Sequence, residues 1–216
     1  MTLVDYPGLV AASVFTQGCN FRCHYCHNRE LVIPEYFSEP LAVNVIFDYL
    51  SGRQGKLEGV VITGGEPTLQ KGLIDFIVQV KKLGFAVKLD TNGSHPEVLS
   101  TLLDLGLIDY FALDIKTSLK KYAHITGIAC EAVKIKESIG IIVNSGVRYQ
   151  LRTTLVKGFC SEEDLWDIQG LIGSAKNYIL QPFEFSKKMV NEPSIQRTQY
   201  TPGEIEMLRA KYERVL

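Results

Sequence analysis

The chain has 216 residues, of which 46% are hydrophobic and 22% are charged, and its formal net charge at pH 7 is −1. This composition is that of an ordinary globular domain and excludes a disordered or fibrous protein. The absence of a basic excess also argues against a nucleic-acid partner, since binding to a phosphate backbone depends on clustered lysine and arginine.

Residues 1–8 lack the basic start and apolar stretch of a secretory signal, and no run approaches the roughly 18 apolar residues of a membrane span. We therefore expect a cytoplasmic protein with no membrane partner. Disulfides are rare in a reducing compartment, so the five cysteines indicate metal binding or redox chemistry. No linker, low-complexity tract or repeat divides the sequence, which predicts a single domain over residues 1–216.

Six apolar, β-branched runs alternate with segments of helical period. The predicted strands are residues 10–16, 59–63, 85–90, 110–115, 148–156 and 178–183, and the predicted helices are residues 40–50, 72–83, 96–105, 130–144, 162–173 and 202–212. Continuous apolar strands between helices are typical of a parallel sheet that helices cover. Two helix starts carry capping signals, at Ser161 before an acidic first turn and at Thr201 before Pro202.

Six strand–helix units are too few for a closed eight-stranded barrel of about 250 residues. The sequence therefore predicts an α/β fold in which six β/α units form a partial, open TIM-like barrel with parallel strands. The period alone leaves a flat, doubly wound sheet open as an alternative. In either topology the active groups belong at the C-terminal ends of the strands.

Three cysteines lie in the loop after the first predicted strand. Cys19, Cys23 and Cys26 have the spacing Cys-x3-Cys-x2-Cys, so their thiolates can converge on one site. An iron–sulfur cluster held by three thiolates would keep one iron open to a small molecule. The remaining cysteines, Cys130 and Cys160, are isolated and are expected to be buried small hydrophobic residues rather than a fourth ligand.

Two other sites are compatible with the same segment. Residues 23–27 match the Cys-x-x-Cys-His pattern of c-type haem attachment, which belongs to exported chains. A structural zinc site would use His24 or His27 as its fourth ligand, although zinc usually staples small folds that lack a core.

With Tyr25 directly before the last cysteine, the spacing resembles the signature of the radical S-adenosylmethionine superfamily. The resemblance implies a [4Fe-4S] cluster on Cys19, Cys23 and Cys26, whose open iron binds S-adenosylmethionine, with Tyr25 among the cofactor-binding residues. It also implies reductive cleavage of the cofactor to methionine and a 5′-deoxyadenosyl radical. The reactive species would then come from the cofactor, and the protein would bind and shield it.

A second match follows the second predicted strand, where residues 63–68 read Thr-Gly-Gly-Glu-Pro-Thr. Glycines at a strand end allow close approach of a ligand, although such a segment can also be a simple turn. In the family a Gly-Gly-Glu-Pro motif at this place holds the amino group of S-adenosylmethionine, which implies roles for Gly64, Gly65 and Glu66. Bulk at Gly65 is then expected to block cofactor binding and leave the cluster intact.

Charged residues end the later strands. Asp90 and Thr91 follow the third strand, and Asp114 and Lys116 follow the fourth; turn and cap chemistry is the alternative for the two aspartates. Both motifs resemble those of the pyruvate formate-lyase activating enzyme. The resemblance implies a monovalent cation on Asp90, Thr91 and Asp114, and cofactor contacts from Asp114 and Lys116. Arg152 in the fifth strand could reach the cofactor or pair with a carboxylate.

Three other polar residues receive no cofactor role. The activating enzyme has a histidine near the end of its sixth strand that touches the cofactor, but Glu184 stands there in this chain, and we assign it nothing. His95 and His124 lie in predicted loops and are expected to be surface residues.

Residues 3–8, 15–23, 65–70 and 88–93 together resemble the activating proteins of anaerobic ribonucleoside-triphosphate reductase. The resemblance implies that the chain generates a glycyl radical on a partner enzyme and receives electrons from reduced flavodoxin or ferredoxin. An alternative of the same class is a radical enzyme acting on a small molecule or a peptide side chain. An alternative of a different class is a non-enzymatic zinc or iron–sulfur binding protein.

Overall fold

The structure is a computed structural model that describes residues 1–129, 132–185, 188–195 and 199–215. Its strands are β1 (Ala11–Thr16), β2 (Gly59–Gly64), β3 (Ala86–Thr91), β4 (Tyr110–Asp114), β5 (Arg148–Leu155) and β6 (Tyr178–Pro182). They form one sheet in sequential order, and every neighbouring pair is parallel. The order never reverses as it does in a doubly wound sheet, and β1 does not pair with β6. The predicted open, six-stranded barrel is confirmed.

Helices follow the strands along the chain. In the described ranges they are α1 (Arg29–Val32), α2 (Val43–Ser51), α3 (Leu73–Lys82), α4 (Pro96–Asp104), α5 (Tyr122–Thr126), α6 (Ala132–Asn144), α7 (Glu162–Ile172) and α8 (Pro202–Tyr212). The six predicted helices are all present, although the first two residues predicted for α6 lie outside the described residues. The short helices α1 and α5 were not predicted, because fewer than two turns give no readable period.

Both predicted helix caps are confirmed. Ser161 Oγ accepts a hydrogen bond from the backbone N–H of Asp164 at 3.3 Å, and the Asp164 carboxylate accepts one from the Ser161 N–H at 2.9 Å. Thr201 and Glu204 form the same reciprocal pair at 3.3 and 2.6 Å. Each box satisfies two backbone donors that a helix start leaves free.

The two faces of the sheet differ in chemistry. The outer face is apolar and packs on the helices, through residues such as Val60, Val87 and Phe111. The inner face carries charged side chains towards the C-terminal ends of the strands, such as Asp90, Asp114 and Arg152. At the opposite end of the barrel Tyr6 is fully buried and packs edge-on against Tyr110, with ring centroids 5.8 Å apart. The open end of the barrel is therefore the carboxyl end.

None of the described helices is long and apolar enough to cross a membrane.

Candidate active site at the carboxyl ends of the strands

The cysteine loop, residues 17–28, is held by backbone hydrogen bonds from several parts of the chain. Gly18 N–H donates to Leu31 O at 2.8 Å, and Arg22 N–H donates to Thr126 O at 2.7 Å. From the segment after β6, Val190 N–H donates to the carbonyl of Cys26 at 3.1 Å. The loop is therefore fixed in place by α1, by α5 and by the segment that follows the last strand.

Burial makes the three thiols difficult to ionise. It raises the pKa of Cys23 to about 12 and also raises the pKa values of Cys19 and Cys26. The positive charge of Lys116 opposes the shift at all three sulfurs. One buried and two partly buried thiolates need a compensating positive charge, which bound iron would supply, so this donor set fits an iron–sulfur cluster.

The neighbouring histidines do not join the cysteines. His24 is within hydrogen-bonding distance of His124 O through Nε2, at 3.1 Å, and of Asn191 Nδ2 through Nδ1, at 2.9 Å. His27 Nε2 lies 2.7 Å from the backbone oxygen of Glu184, and its ring stacks on Phe183. Among the described residues, no group of three His, Cys, Asp or Glu side chains is arranged to hold a single metal ion.

The Gly-Gly turn, residues 64–68, packs directly on the cysteine loop. Gly64 has φ +112°, and a Cβ at Gly65 would lie only 2.0 Å from the carbonyl oxygen of Gly18. The Glu66 N–H donates to the same oxygen at 2.8 Å. Any side chain at Gly65 must therefore displace the backbone beside Cys19. The expectation that bulk at Gly65 spares the cluster stays a prediction, and this packing argues against it.

Glu66 is fully buried, and its carboxylate is already engaged. It accepts hydrogen bonds from Thr68 N–H at 3.1 Å, Thr68 Oγ1 at 2.5 Å, Thr91 Oγ1 at 2.8 Å and Asn92 N–H at 2.7 Å. Burial raises the pKa of Glu66, and these donors partly offset the shift. The side chain therefore ties the Gly-Gly turn to the end of β3, and a direct contact between Glu66 and a cofactor stays a prediction.

A row of alternating charges, here called the charge ladder, crosses the inner face of the barrel from β3 to β5 and comprises Lys88, Asp90, Arg152, Asp114 and Lys116. Lys88 Nζ pairs with Asp90. Arg152 donates to Asp90 Oδ2 at 3.4 Å and to Asp114 Oδ1 at 2.7 Å. Lys116 Nζ lies 3.1 Å from Asp114 Oδ2. Three cations face two carboxylates, so the ladder carries an excess positive charge that suits an anionic ligand.

The two cations of the ladder that flank Asp114 keep its carboxylate ionised. Burial alone would raise the pKa of Asp114, but the Arg152 guanidinium and the Lys116 ammonium outweigh it and hold that pKa well below its usual range. Of the two alternatives for Arg152, pairing with carboxylates is what the structure shows. Contact between Arg152 and a cofactor stays a prediction.

The side chains of the predicted cation ligands do not all face one point. Asp90 and Asp114 lie on the inner face, but the Thr91 hydroxyl points to the other side of β3, where it donates to Glu66. This follows from the alternation of side chains along a strand. Arg152 lies between the two aspartates. A cation on Asp90, Thr91 and Asp114 stays a prediction.

Tyr25 has a buried hydroxyl without a hydrogen-bond partner in the described part of the chain. Its ring lies among Phe159 and Phe183, with centroids 6.2 and 6.4 Å away. Lys116 acts on it electrostatically, as it does on the cysteine thiols. A buried hydroxyl without a partner is rare, and here it would be satisfied by a polar ligand bound beside the cysteines.

The structure places three of the four other cysteine and histidine candidates. Cys160 is buried in the hydrophobic core, as expected, and Cys130 lies outside the described residues. His124 is exposed, but it lies in α5 rather than in a loop. His95 is partly exposed, and its Nδ1 lies 3.1 Å from Thr68 Oγ1 and 2.9 Å from Ser94 Oγ. It therefore belongs to the network around the Gly-Gly turn.

Comparison with protein families matches residues 13–171 to the model described as the radical SAM superfamily. The chain belongs to the radical SAM superfamily. This family uses a [4Fe-4S] cluster and S-adenosylmethionine, and the matched region contains the cysteine loop, the Gly-Gly turn and the whole charge ladder.

Similar proteins include two activating enzymes. One, named a glycyl-radical enzyme activating enzyme, is from Methanocaldococcus jannaschii and is 36% identical over 85% of this chain and 77% of its own length. A pyruvate formate-lyase-activating enzyme of Staphylococcus aureus is 31% identical over 74% of this chain and 67% of its own length. A relative of another kind, named a GTP 3′,8-cyclase, from Pyrococcus horikoshii, is 32% identical over 78% of this chain and 53% of its own length.

Among solved structures, Streptococcus suis SuiB bound to S-adenosylmethionine superimposes with a TM-score of 0.74 over 94% of this chain. The two sequences are 14% identical, so the likeness shows the shared fold. This chain spans 46% of the SuiB chain.

Proposed function

We propose that this protein cleaves S-adenosylmethionine reductively at a [4Fe-4S] cluster held by Cys19, Cys23 and Cys26, and thereby generates a glycyl radical on a partner enzyme. The observation that carries the cluster assignment is the fixed cysteine loop, whose three thiols all experience the positive charge of Lys116. Sequence likeness to two activating enzymes supports the activase role.

We assign separate contacts to the carboxylate and the amino group of the cofactor. The positive excess of the charge ladder, through Arg152 and Lys116 around Asp114, suits the cofactor carboxylate. The backbone of Gly64, Gly65 and Glu66 would take the amino group, and the unpartnered hydroxyl of Tyr25 would meet a polar atom. Once bound, the cofactor supplies a 5′-deoxyadenosyl radical that abstracts a Cα hydrogen from a glycine of the partner.

The chain's own residues decide where a partner can enter. Tyr6 and Tyr110 pack together at the amino-terminal end of the barrel, whereas the charge ladder lies towards the carboxyl ends of the strands, so we expect a partner's segment to approach from the carboxyl side. The partner we propose is a glycyl-radical enzyme of the anaerobic ribonucleotide reductase type in the cytoplasm. Reduced flavodoxin or ferredoxin is the proposed electron donor.

The cluster assignment is tested by the iron and sulfide content of protein reconstituted without oxygen. We expect about four irons per chain in the wild type. Replacement of Cys19, Cys23 or Cys26 by alanine should abolish the cluster, because each thiolate binds a different iron. Cys160→Ala is the matched control: it removes a buried thiol from the core and should keep the full iron content. A Cys160 variant without iron would contradict the assignment.

The activase role is tested separately by mixing the reduced, loaded protein with S-adenosylmethionine and an anaerobic ribonucleotide reductase. The expected result is the doublet of a glycyl radical in the electron paramagnetic resonance spectrum. If the cofactor is cleaved but no glycyl-radical enzyme gives a doublet, the activase role is excluded. The likeness to the GTP 3′,8-cyclase would then favour action on a small molecule.

A further inference from the structure

One cysteine of the loop receives two N–H donors at its sulfur. The backbone N–H of Phe21 lies 3.4 Å from Cys19 Sγ, and the side-chain Nδ2 of Asn92 lies 3.9 Å from it. The first donor belongs to the loop itself, whereas Asn92 reaches across from the end of β3. The second contact is long, and it would shorten against a thiolate because hydrogen bonds to charged acceptors are shorter than those to neutral ones.

The orientation of the Asn92 side chain is determined by its partners. Its Oδ1 accepts from the Ser94 N–H at 2.9 Å, so its Nδ2 must face the opposite way. There Nδ2 donates to Asn20 Oδ1 at 3.0 Å, which leaves the second hydrogen for Cys19. The residue is only 6% exposed. Asn92 is therefore a buried, fully engaged amide that presents an N–H to this sulfur.

Glu66 fixes the backbone from which Asn92 extends. Its Oε2 accepts from the Asn92 N–H at 2.7 Å, and its Oε1 accepts from Thr91 Oγ1 at 2.8 Å. The glutamate of the Gly-Gly turn is thus linked to a cysteine sulfur through one intervening residue. An ordinary turn explains the Oδ1 contact of Asn92 to Ser94, but it does not explain why Nδ2 faces Cys19.

We propose that Asn92 is a positioning residue that donates a hydrogen bond to the Cys19 thiolate and raises the reduction potential of the cluster, with Glu66 holding it in place. The inference rests on the proposed function, since it requires Cys19 to be a cluster ligand. A donor to a ligand sulfur draws off negative charge, and this favours the reduced cluster, which carries one more electron.

The test is the midpoint potential of the one-electron couple, measured by electron paramagnetic resonance in a redox titration of the loaded protein. Asn92→Ala should lower the ratio of reduced to oxidised cluster at a fixed potential about tenfold. For a one-electron couple this corresponds to a midpoint potential lower by about 59 mV. Asn92→Asp keeps the size and the contact to Ser94 but replaces the donor by an acceptor, so it should lower the potential further.

Ser138→Ala is the matched control. It removes a buried hydroxyl that donates to the carbonyl of Gly93, next to Asn92 in the chain, but it touches neither the Asn92 amide nor its partners, so the potential should stay at the wild-type value. The proposal is overturned if the Asn92 variants hold full iron at the wild-type potential, or if Ser138→Ala shifts the potential as far as Asn92→Ala. Because Asn92→Asp preserves shape, it tests the proposal even if Asn92→Ala does not fold.

A further measurement needs no variant. In wild-type protein labelled with ¹⁵N at asparagine side chains, the reduced cluster should show a hyperfine coupling to an amide nitrogen, and its absence would contradict the hydrogen bond. If the wild type itself takes up no iron, the proposed function fails. If the wild type forms the cluster and cleaves the cofactor while the potentials do not move, only the role of Asn92 fails.

Discussion

The two sides of the candidate site are stabilised by different interactions. On one side, the Gly-Gly turn meets the cysteine loop through backbone contacts and the buried carboxylate of Glu66, whose four donors are all neutral. On the other side, Asp114 faces the cations Arg152 and Lys116. Burial dominates at Glu66 and raises its pKa, whereas charge dominates at Asp114 and lowers it. In the function we propose, the first side would hold the cluster and the second would supply positive charge to the cofactor.

The largest effect should come from Gly65→Ala. The new Cβ would lie 2.0 Å from Gly18 O, a distance that forces the cysteine loop to move. We expect loss of both iron and cofactor binding, measured as iron content and by calorimetry with S-adenosylmethionine. Gly140→Ala is the control, because a Cβ there meets nothing within 4 Å. A full iron content in Gly65→Ala would show that the cysteine loop does not depend on the Gly-Gly turn, and it would contradict this packing.

Arg152→Met should affect only the side of the site around Asp114. It leaves Asp90 and Asp114 short of one cation, and breaking a buried ion pair costs about 3 kcal/mol. We expect lower stability in urea unfolding and loss of S-adenosylmethionine binding, but iron content equal to that of the wild type. If Arg152→Met loses iron while the protein stays folded, the two sides are not independent.

Glu66→Gln should have a smaller effect on stability than Arg152→Met and a different effect on the cluster. The amide replaces one accepting oxygen with a donor, which leaves neighbouring donors unsatisfied at a cost of about 2 kcal/mol. The reduction potential of the cluster should fall as Asn92 loses its anchor. If Glu66 only contacted the cofactor, Glu66→Gln would change the affinity for S-adenosylmethionine without changing the unfolding free energy.

The pH dependence of Glu66 has a defined sign. Its folded pKa is raised above the usual 4.5, so the folded state binds a proton more readily than the unfolded state. Stability from this group therefore declines as pH rises above about 4.5. Urea unfolding of Glu66→Gln across this range should lack that decline, and an identical pH profile for the two proteins would contradict the assignment.

The smallest predicted effect concerns Asp164, a buried carboxylate remote from the cysteine loop that combines both kinds of partner. Burial would raise its pKa, but Lys121, Ser118 and Ser161 outweigh this and lower it from 3.8 to about 2. Its contribution is complete above the unfolded pKa and is lost as pH falls through the folded one. The free energy of unfolding of the wild type should therefore fall by about 2 kcal/mol more than that of Asp164→Asn when the pH is lowered from 4 to 2, as measured by denaturant unfolding. An unchanged acid profile would show that the pairing is weak.

The sequence predicted the strands, the order of the units and the edge at which the motifs meet, because these follow from periodicity and from the parallel connection of neighbouring strands. Strand alternation also puts the side chains of Thr91 and Asp90 on opposite faces, which the prediction of a shared cation site did not use. The role of Asn92 and the contact of Val190 with Cys26 could not be predicted, since both depend on the paths of loops. The clash at Gly65 likewise depends on how two loops approach in space.

The most direct test of the account is the quantity of 5′-deoxyadenosine formed by anaerobically reconstituted protein after reduction with dithionite and addition of S-adenosylmethionine, measured by chromatography. The account predicts product that requires Cys19, Cys23 and Cys26 but does not require Cys160. No product from protein with a full complement of iron and sulfide would contradict it.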